Sequence, residues 1–322
     1  MRSLVLGATG MSNPAHFVET LEYRRFAEFC EACRRDRYIG LCYGPPGVGK
    51  TLSARHYARW DLVDDVNVYS IPEEELLAML STGNPDTVLY TASVISTPKT
   101  VERDISKARD LLYRIAREPL YRERKAIMEQ QRDQYEKKRT EYFSSGEWMD
   151  LFAEQKPPPE QPAYDELART FAEREKTIVD PTSLVVIDEA DRLKMASLEA
   201  VRDVFDRSQI GLILIGMPGI EKRLARYPQF YSRIGFVHEF RPLNAEEVRR
   251  LLTDAWTPPG VHLPPLDEET VAAIVRITGG NFRLLGRLLA QTERIVEINE
   301  LPVVTRQAVE TARESLVIGQ AG

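Results

Sequence analysis

Gly44-Pro45-Pro46-Gly47-Val48-Gly49-Lys50-Thr51 fits the phosphate-binding template of Gly, four residues, then Gly-Lys-Ser/Thr. The apolar run Tyr38-Ile39-Gly40-Leu41-Cys42-Tyr43 precedes it, and Leu52-Ser53-Ala54-Arg55-His56-Tyr57-Ala58 comes after it with a helical pattern. Strand, loop and helix in that order are the context the motif requires. The glycines let successive backbone N–H groups converge on phosphate oxygens, and the positive end of the helix adds attraction for an anion. Gly44, Pro45, Pro46, Gly47, Val48, Gly49, Lys50, Thr51 and Leu52 are therefore the candidate nucleotide-binding residues. Lys50 would reach the β- and γ-phosphates, and the Thr51 hydroxyl would ligate Mg²⁺. A Gly/Pro turn that merely happens to end in Lys-Thr is the plainer alternative; the flanking strand and helix argue against it.

A second motif reinforces the first. Ser183-Leu184-Val185-Val186-Ile187-Asp188-Glu189 is a buried-strand pattern that closes in two acids. At the carboxyl end of a parallel strand beside the phosphate loop, Asp188 can hold Mg²⁺, and Glu189 can orient and deprotonate a water aimed at the γ-phosphate. Alone, an apolar run ending in Asp-Glu is weak, since any buried strand can end in solvated acids. The same acids with Ala190 and Asp191 also spell the box of certain RNA helicases, but the other motifs and second domain of those enzymes are missing. Ile210 to Gly216 is a further apolar run, preceded by a helix from Lys194 to Arg207 with Leu198, Val201 and Phe205 inward. Three or more such strands with intervening helices imply an α/β fold with a doubly wound parallel sheet.

The 322 residues are 43% hydrophobic and 29% charged, enough for two domains and an extensive core. A net charge of −6 excludes a globally basic nucleic-acid binder, so any such contact must be a local patch. Cys30, Cys33 and Cys42 are too few for a disulfide scaffold, which points to a reducing, cytoplasmic setting. Cys30 and Cys33 have C-x-x-C spacing without a second ligand pair, and helical periodicity already accounts for both as core residues. No apolar window approaches the length of a membrane span.

In chain order, residues 1–14 read as a mobile arm, and the next segment is a helix with Val18, Leu21, Phe26, Phe29, Cys30 and Cys33 on one face. A short strand is expected at Val66 to Ile71, a small helix from Pro72 to Leu80, and the second strand of the sheet at Thr87 to Ile95. Thr97-Pro98 opens a helix. From 118 to 180 the composition turns charged, then Pro-rich, and reads as a helical insertion whose 121–139 half carries extra Lys and Arg. After residue 243, helices are expected at Ala245 to Trp256, Asp267 to Ile277, Asn281 to Ile298 and Thr305 to Val317. The resulting division is an arm at 1–14, a nucleotide-binding domain at 15–242 with its insertion, and a helical domain at 243–322.

Beyond the two motifs, the chain resembles the AAA+ ATPases over about residues 15–117 and 180–318. Within them it resembles the transposition regulators of the TniB, TnsC and phage Mu B type, through Ile213-Leu214-Ile215-Gly216-Met217-Pro218-Gly219, Glu221-Lys222-Arg223-Leu224 and Tyr231-Ser232-Arg233-Ile234-Gly235-Phe236. The resemblance implies that Ser232-Arg233-Ile234 holds an arginine finger, which places Arg233 against the γ-phosphate of a neighbouring subunit; Arg226 is the nearest competitor. It implies that Gly279-Gly280-Asn281-Phe282-Arg283 opens a sensor helix whose Arg283 reaches the phosphates of its own subunit, and that residues 243–322 form a lid. One departure is that Gly216-Met217 stands where many AAA+ proteins have a polar sensor residue, which suits slow hydrolysis.

The resemblance further implies an ATPase with ATP and Mg²⁺ that forms a homo-oligomeric ring or helical filament on double-stranded DNA and recruits a transposase. Lys99, Thr100 and Arg103 are the DNA-contact candidates, because the proteins it resembles line their channel there. Two rivals stay open: a signalling or assembly ATPase that docks protein through the charged insertion, and a clamp-loader or initiator-like remodeller.

Overall fold

The computed structural model describes residues 17–146, 157–254 and 256–316. The arm expected at 1–14 and Val317, the expected end of the last helix, lie outside them.

Five parallel strands form one sheet: β1 (Ile39–Tyr43), β2 (Thr87–Thr91), β3 (Leu184–Asp188), β4 (Gly211–Gly216) and β5 (Ile234–Glu239), in the order β2-β3-β4-β1-β5. The expected α/β fold with a parallel sheet is thus present. β3 and β4 are buried along their whole length, which is why their sequences are unbroken apolar runs without alternation. β1 lies between β4 and β5, so the phosphate loop leaves an interior strand.

α1 (Leu21–Asp36) buries Phe26, Phe29, Cys30 and Cys33 against β1, β4 and β5. Gly40 in β1 allows that approach, since a Cβ there would run into Cys33 Sγ and the Phe29 ring. Burial raises both helix thiols, Cys33 to about 12, so neither is a thiolate at neutral pH. They pack as small hydrophobes, and among the described residues no cluster of three or more His, Cys, Asp or Glu could hold a metal ion.

The chain divides into two compact units, residues 1–64, 87–106 and 183–322 in the first and residues 65–86 and 107–182 in the second. The boundary differs from the insertion read at 118–180. Composition changes at 118, but α4 (Pro98–Ser145) continues through Pro119, and the 65–86 segment joins the later residues through contacts far apart in sequence. In this second unit are α3 (Glu73–Leu80), most of α4, and α5 (Tyr164–Lys176). A bidentate pair from Arg174 to Glu123 (2.8 and 2.6 Å), Arg109 to Asp180 (2.7 Å) and Arg122 to the Ile71 carbonyl (2.6 Å) tie it together.

The strand expected at 66–71 is absent. Asn67 accepts the Tyr69 N–H at its side chain (3.2 Å) and the Ser70 N–H at its carbonyl (3.0 Å), closing a turn that overrides the β-branched composition. β2 also ends four residues early. Ser96 Oγ donates to the Ser93 carbonyl (2.7 Å) and Ser93 Oγ to the Ile95 carbonyl (3.0 Å), bending the chain and leaving Val94 and Ile95 77% and 85% exposed.

From residue 243 the first unit is helical: α9 (Ala245–Thr253), α10 (Glu268–Thr278), α11 (Phe282–Ile298) and α12 (Arg306–Glu314). Between β3 and this set come α6 (Met195–Arg207), α7 (Ile220–Leu224) and α8 (Pro228–Tyr231), after α2 (Lys50–Tyr57) near the start of the chain. Asn244, Asp267, Asn281 and Thr305 cap the four later helices, each accepting a backbone N–H in the first turn. Val248, Ile274, Leu285, Leu288, Leu289 and Val309 form their shared core, every one buried.

Candidate nucleotide-binding site

The loop after β1 enters α2 through Gly49, whose φ of 111° no other residue adopts comfortably. Lys50 folds back under the loop. Its Nζ donates to the carbonyls of Gly44 (2.6 Å) and Pro45 (2.8 Å), which leaves one N–H and the positive charge for an anion above. Burial pulls the Lys50 ammonium below its usual range, and Cys42, Asp188, Glu189 and Asp191 act in the opposite direction. The first N–H groups of α2 have no acceptor within their own helix.

Across the cleft, at the end of β3, Thr51 Oγ1 donates to Asp188 Oδ2 at 2.6 Å, and Asp188 Oδ1 accepts the Glu189 N–H at 2.8 Å. Asp188 is buried and Glu189 is 37% exposed in its side chain, in the left-handed region at φ 55°. A hydroxyl and a carboxylate meeting at one point make the oxygen-rich corner that a hard divalent cation prefers.

The third wall comes from the start of α11. Asn281 Nδ2 donates to the Pro46 carbonyl (2.8 Å), and the Arg283 N–H donates to the Gly47 carbonyl (2.9 Å). Together these elements enclose a cavity of about 330 Å³ whose lining includes Lys50, Thr51, Asp188, Glu189, Phe282 and Arg283. Pro46, Gly47, Gly49 and Leu52 line it as well. The other three loop residues do not: Gly44 and Pro45 turn their carbonyls to Lys50, and Val48 is buried.

Gly47 has φ 83°, and a Cβ on it would lie 2.7 Å from Asn281 Oδ1 and 2.9 Å from Arg283 Cβ. Gly47→Ala is therefore expected to push α11 off the loop and to weaken nucleotide binding at least tenfold, the left-handed backbone alone costing about 1–2 kcal/mol. Titration with a fluorescent ATP analogue measures it; an affinity equal to wild type would show that the α11 contact is dispensable.

Arg233 is not in this cavity. It lies on the surface before β5, its Nε bonded to Asp206 Oδ1 (2.7 Å) and a terminal nitrogen to the Gln229 carbonyl (2.6 Å). Its competitor Arg226 is exposed and makes no side-chain hydrogen bond or ion pair among the described residues. Lys99 and Arg103 are exposed at the start of α4, but Arg103 is paired with Asp104 (3.0 Å), and Thr100 shares a hydrogen bond with Thr97 (2.8 Å).

Several contacts at the site carry no sequence signal of their own. Arg55 lines the cavity while paired with Asp61 and Asp64. Met217 also lines it, its N–H donating to Asp191 Oδ1 (3.2 Å) at the position where the expected polar sensor residue is lacking. Asn281 is a helix cap in sequence, and only the fold shows that its amide also grips the phosphate loop.

A family model described as an AAA domain matches residues 33–224. The chain belongs to the AAA domain family. This AAA protein is an ATPase whose cofactors are ATP and Mg²⁺, and Lys50, Thr51, Asp188 and the loop amides are of the right chemical kinds to hold them. It is 36% identical over 312 residues to a potential ATP-binding protein of Staphylococcus aureus, covering 96% of this chain and 99% of that one. In structure it is similar to Cdc6p from Pyrobaculum aerophilum, with a TM-score of 0.54 at 14% identity over 97% of this chain and 72% of that one. The RuvB Holliday junction branch migration motor of Thermotoga maritima gives a TM-score of 0.50 at 14% identity, over 95% and 72%. Both likenesses are to the AAA+ fold. No helix among the described residues is long and apolar enough to cross a membrane.

Proposed function

We propose that the protein is an ATP-gated regulator of transposition that assembles on double-stranded DNA in the cytoplasm and recruits a transposase. The observation that carries it is the position of Arg233, half-exposed on the surface beside Asp206 and outside the cavity of its own chain. A finger so placed serves a neighbour's γ-phosphate, so hydrolysis depends on assembly into a ring or filament. The stretch from Ile213 to Phe236 supports the narrower assignment by its resemblance to the TniB, TnsC and Mu B regulators.

In this proposal Lys50 and Arg283 neutralise the phosphates, and Thr51 and Asp188 hold Mg²⁺, which offsets developing charge on the transferred group. Glu189 takes the proton of the attacking water, and residues 243–322 act as the lid through Asn281 and Arg283. Lys99, Thr100 and Arg103 face DNA. RuvB, which shares the fold, is named for work at Holliday junctions, so duplex DNA is the first polymer to test.

DNA retention on immobilised duplex is expected with ATP and Mg²⁺ at low salt, and to be lost with ADP. The logarithm of the binding constant should fall linearly with log salt, as phosphate contacts dictate, and binding should be nearly independent of sequence. If ATP gives no retention at low salt, the DNA assignment fails, and a protein-docking ATPase that uses the ion-paired helices of the second unit takes its place.

A further inference from the structure

After Glu189 the chain makes a single 3-10 turn, Ala190–Arg192, which carries Arg192 back toward the base. One terminal nitrogen of Arg192 stands 3.6 Å from Glu189 Oε2, and the other donates to the Ala92 carbonyl at 3.1 Å. That carbonyl is a fixed anchor. Ala92 is fully buried, and its own N–H donates to the Asp188 carbonyl at 2.9 Å, so it is fastened to the strand end one residue before Glu189. The loop beyond it is held by Ser93 and Ser96, and by Ser197 Oγ, which donates to the Ser96 carbonyl at 3.1 Å.

We propose that Arg192 is a positioning residue for hydrolysis: its guanidinium, locked to Ala92, holds one oxygen of Glu189 and leaves the other directed to the attacking water. An ordinary three-residue ion pair between half-exposed side chains would contribute little, because both partners remain mobile in water. Here one arm of a rigid planar fork is immobilised, so the other has a defined place. The contact at 3.6 Å is longer than a hydrogen bond and leaves the carboxylate oxygens able to accept from water. Arg192 thus does for Glu189 what a third group does for the base of a nucleophile–base pair.

The inference rests on Glu189 as the base, and a double-mutant cycle in the full chain separates the two. Steady-state turnover of magnesium ATP is measured for wild type, Arg192→Ala, Arg192→Lys, Glu189→Gln and the Arg192→Ala/Glu189→Gln double variant. Arg192→Ala is expected to lower kcat about tenfold with KM for ATP within twofold of wild type, and Arg192→Lys, which keeps the charge but not the fork, to recover part of the loss. The double variant should turn over no more slowly than Glu189→Gln alone, since a residue acting through Glu189 has nothing left to position. Unchanged kcat in Arg192→Ala, or losses that multiply in the double variant, would overturn the role of Arg192 while leaving the base in place. Normal turnover by Glu189→Gln would instead remove the base assignment, and the inference with it.

Discussion

The Lys50→Ala variant is expected to lose at least a hundredfold in nucleotide affinity while remaining folded. The ammonium is fixed from below by the Gly44 and Pro45 carbonyls at 2.6 and 2.8 Å, so its free N–H is aimed at the cavity before any phosphate arrives. A charged hydrogen bond of that kind contributes about 1.5–3 kcal/mol, and a hundredfold in affinity corresponds to about 2.8 kcal/mol. Two opposing effects keep the change in fold stability small. The two carbonyls lose their donor, which destabilises; a buried cation is also removed, and its depressed pKa shows that the folded chain holds this proton less firmly than the unfolded chain would. By linkage, such a group makes stability rise with pH through its folded value, so its neutral replacement relieves a strain present at pH 7. The decisive comparison is thermal melting with and without magnesium ATP. Wild type should gain stability from ligand by mass action, and the variant should melt near the unliganded wild type and gain nothing. Affinity within threefold of wild type would show that the phosphates bind elsewhere.

Much of this site was legible in the sequence because its parts are local. The candidate phosphate loop, Gly44 to Thr51, has a backbone geometry that glycine spacing specifies, and Asp188 closes a strand whose apolar run leaves few alternatives. The capping residues Asn244, Asp267, Asn281 and Thr305 likewise mark helix starts by local chemistry. Some features were missed for local reasons: Val66 to Ile71 has strand composition, yet its own Asn67 turns it, and β5 alternates half-buried and exposed residues at the sheet edge and lacks the continuous apolar run that revealed β3. Others depend on distant partners. Arg192 looks like any surface arginine in a first turn. Its anchor at Ala92 is 100 residues away, and only the pairing of β2 with β3 brings the two together. The second unit differs in extent from the insertion at 118–180 for the same reason, since 65–86 joins it through space rather than along the chain.

Glu189→Gln is expected to bind magnesium ATP at least as tightly as wild type and to turn it over about 10²–10⁴ times more slowly, the range that loss of a general base entails. Glutamine has the same shape, so the cavity lining and the left-handed backbone at φ 55° are preserved. The substitution removes one negative charge beside a polyanion, which favours binding. It also leaves Thr51 and Asp188 paired at 2.6 Å, so the candidate cation corner is untouched. Binding and chemistry therefore separate in this variant, whereas Lys50→Ala loses both. If ATP orders the interface between subunits, the Glu189→Gln protein should also stay on duplex DNA after a chase, because the ATP state no longer decays to ADP. Single-turnover hydrolysis, read beside nucleotide affinity, tests the assignment. Turnover within threefold of wild type would mean that another group takes the proton from water, and the next acid to examine would be Asp191, whose carboxylate accepts the Met217 N–H at the end of β4.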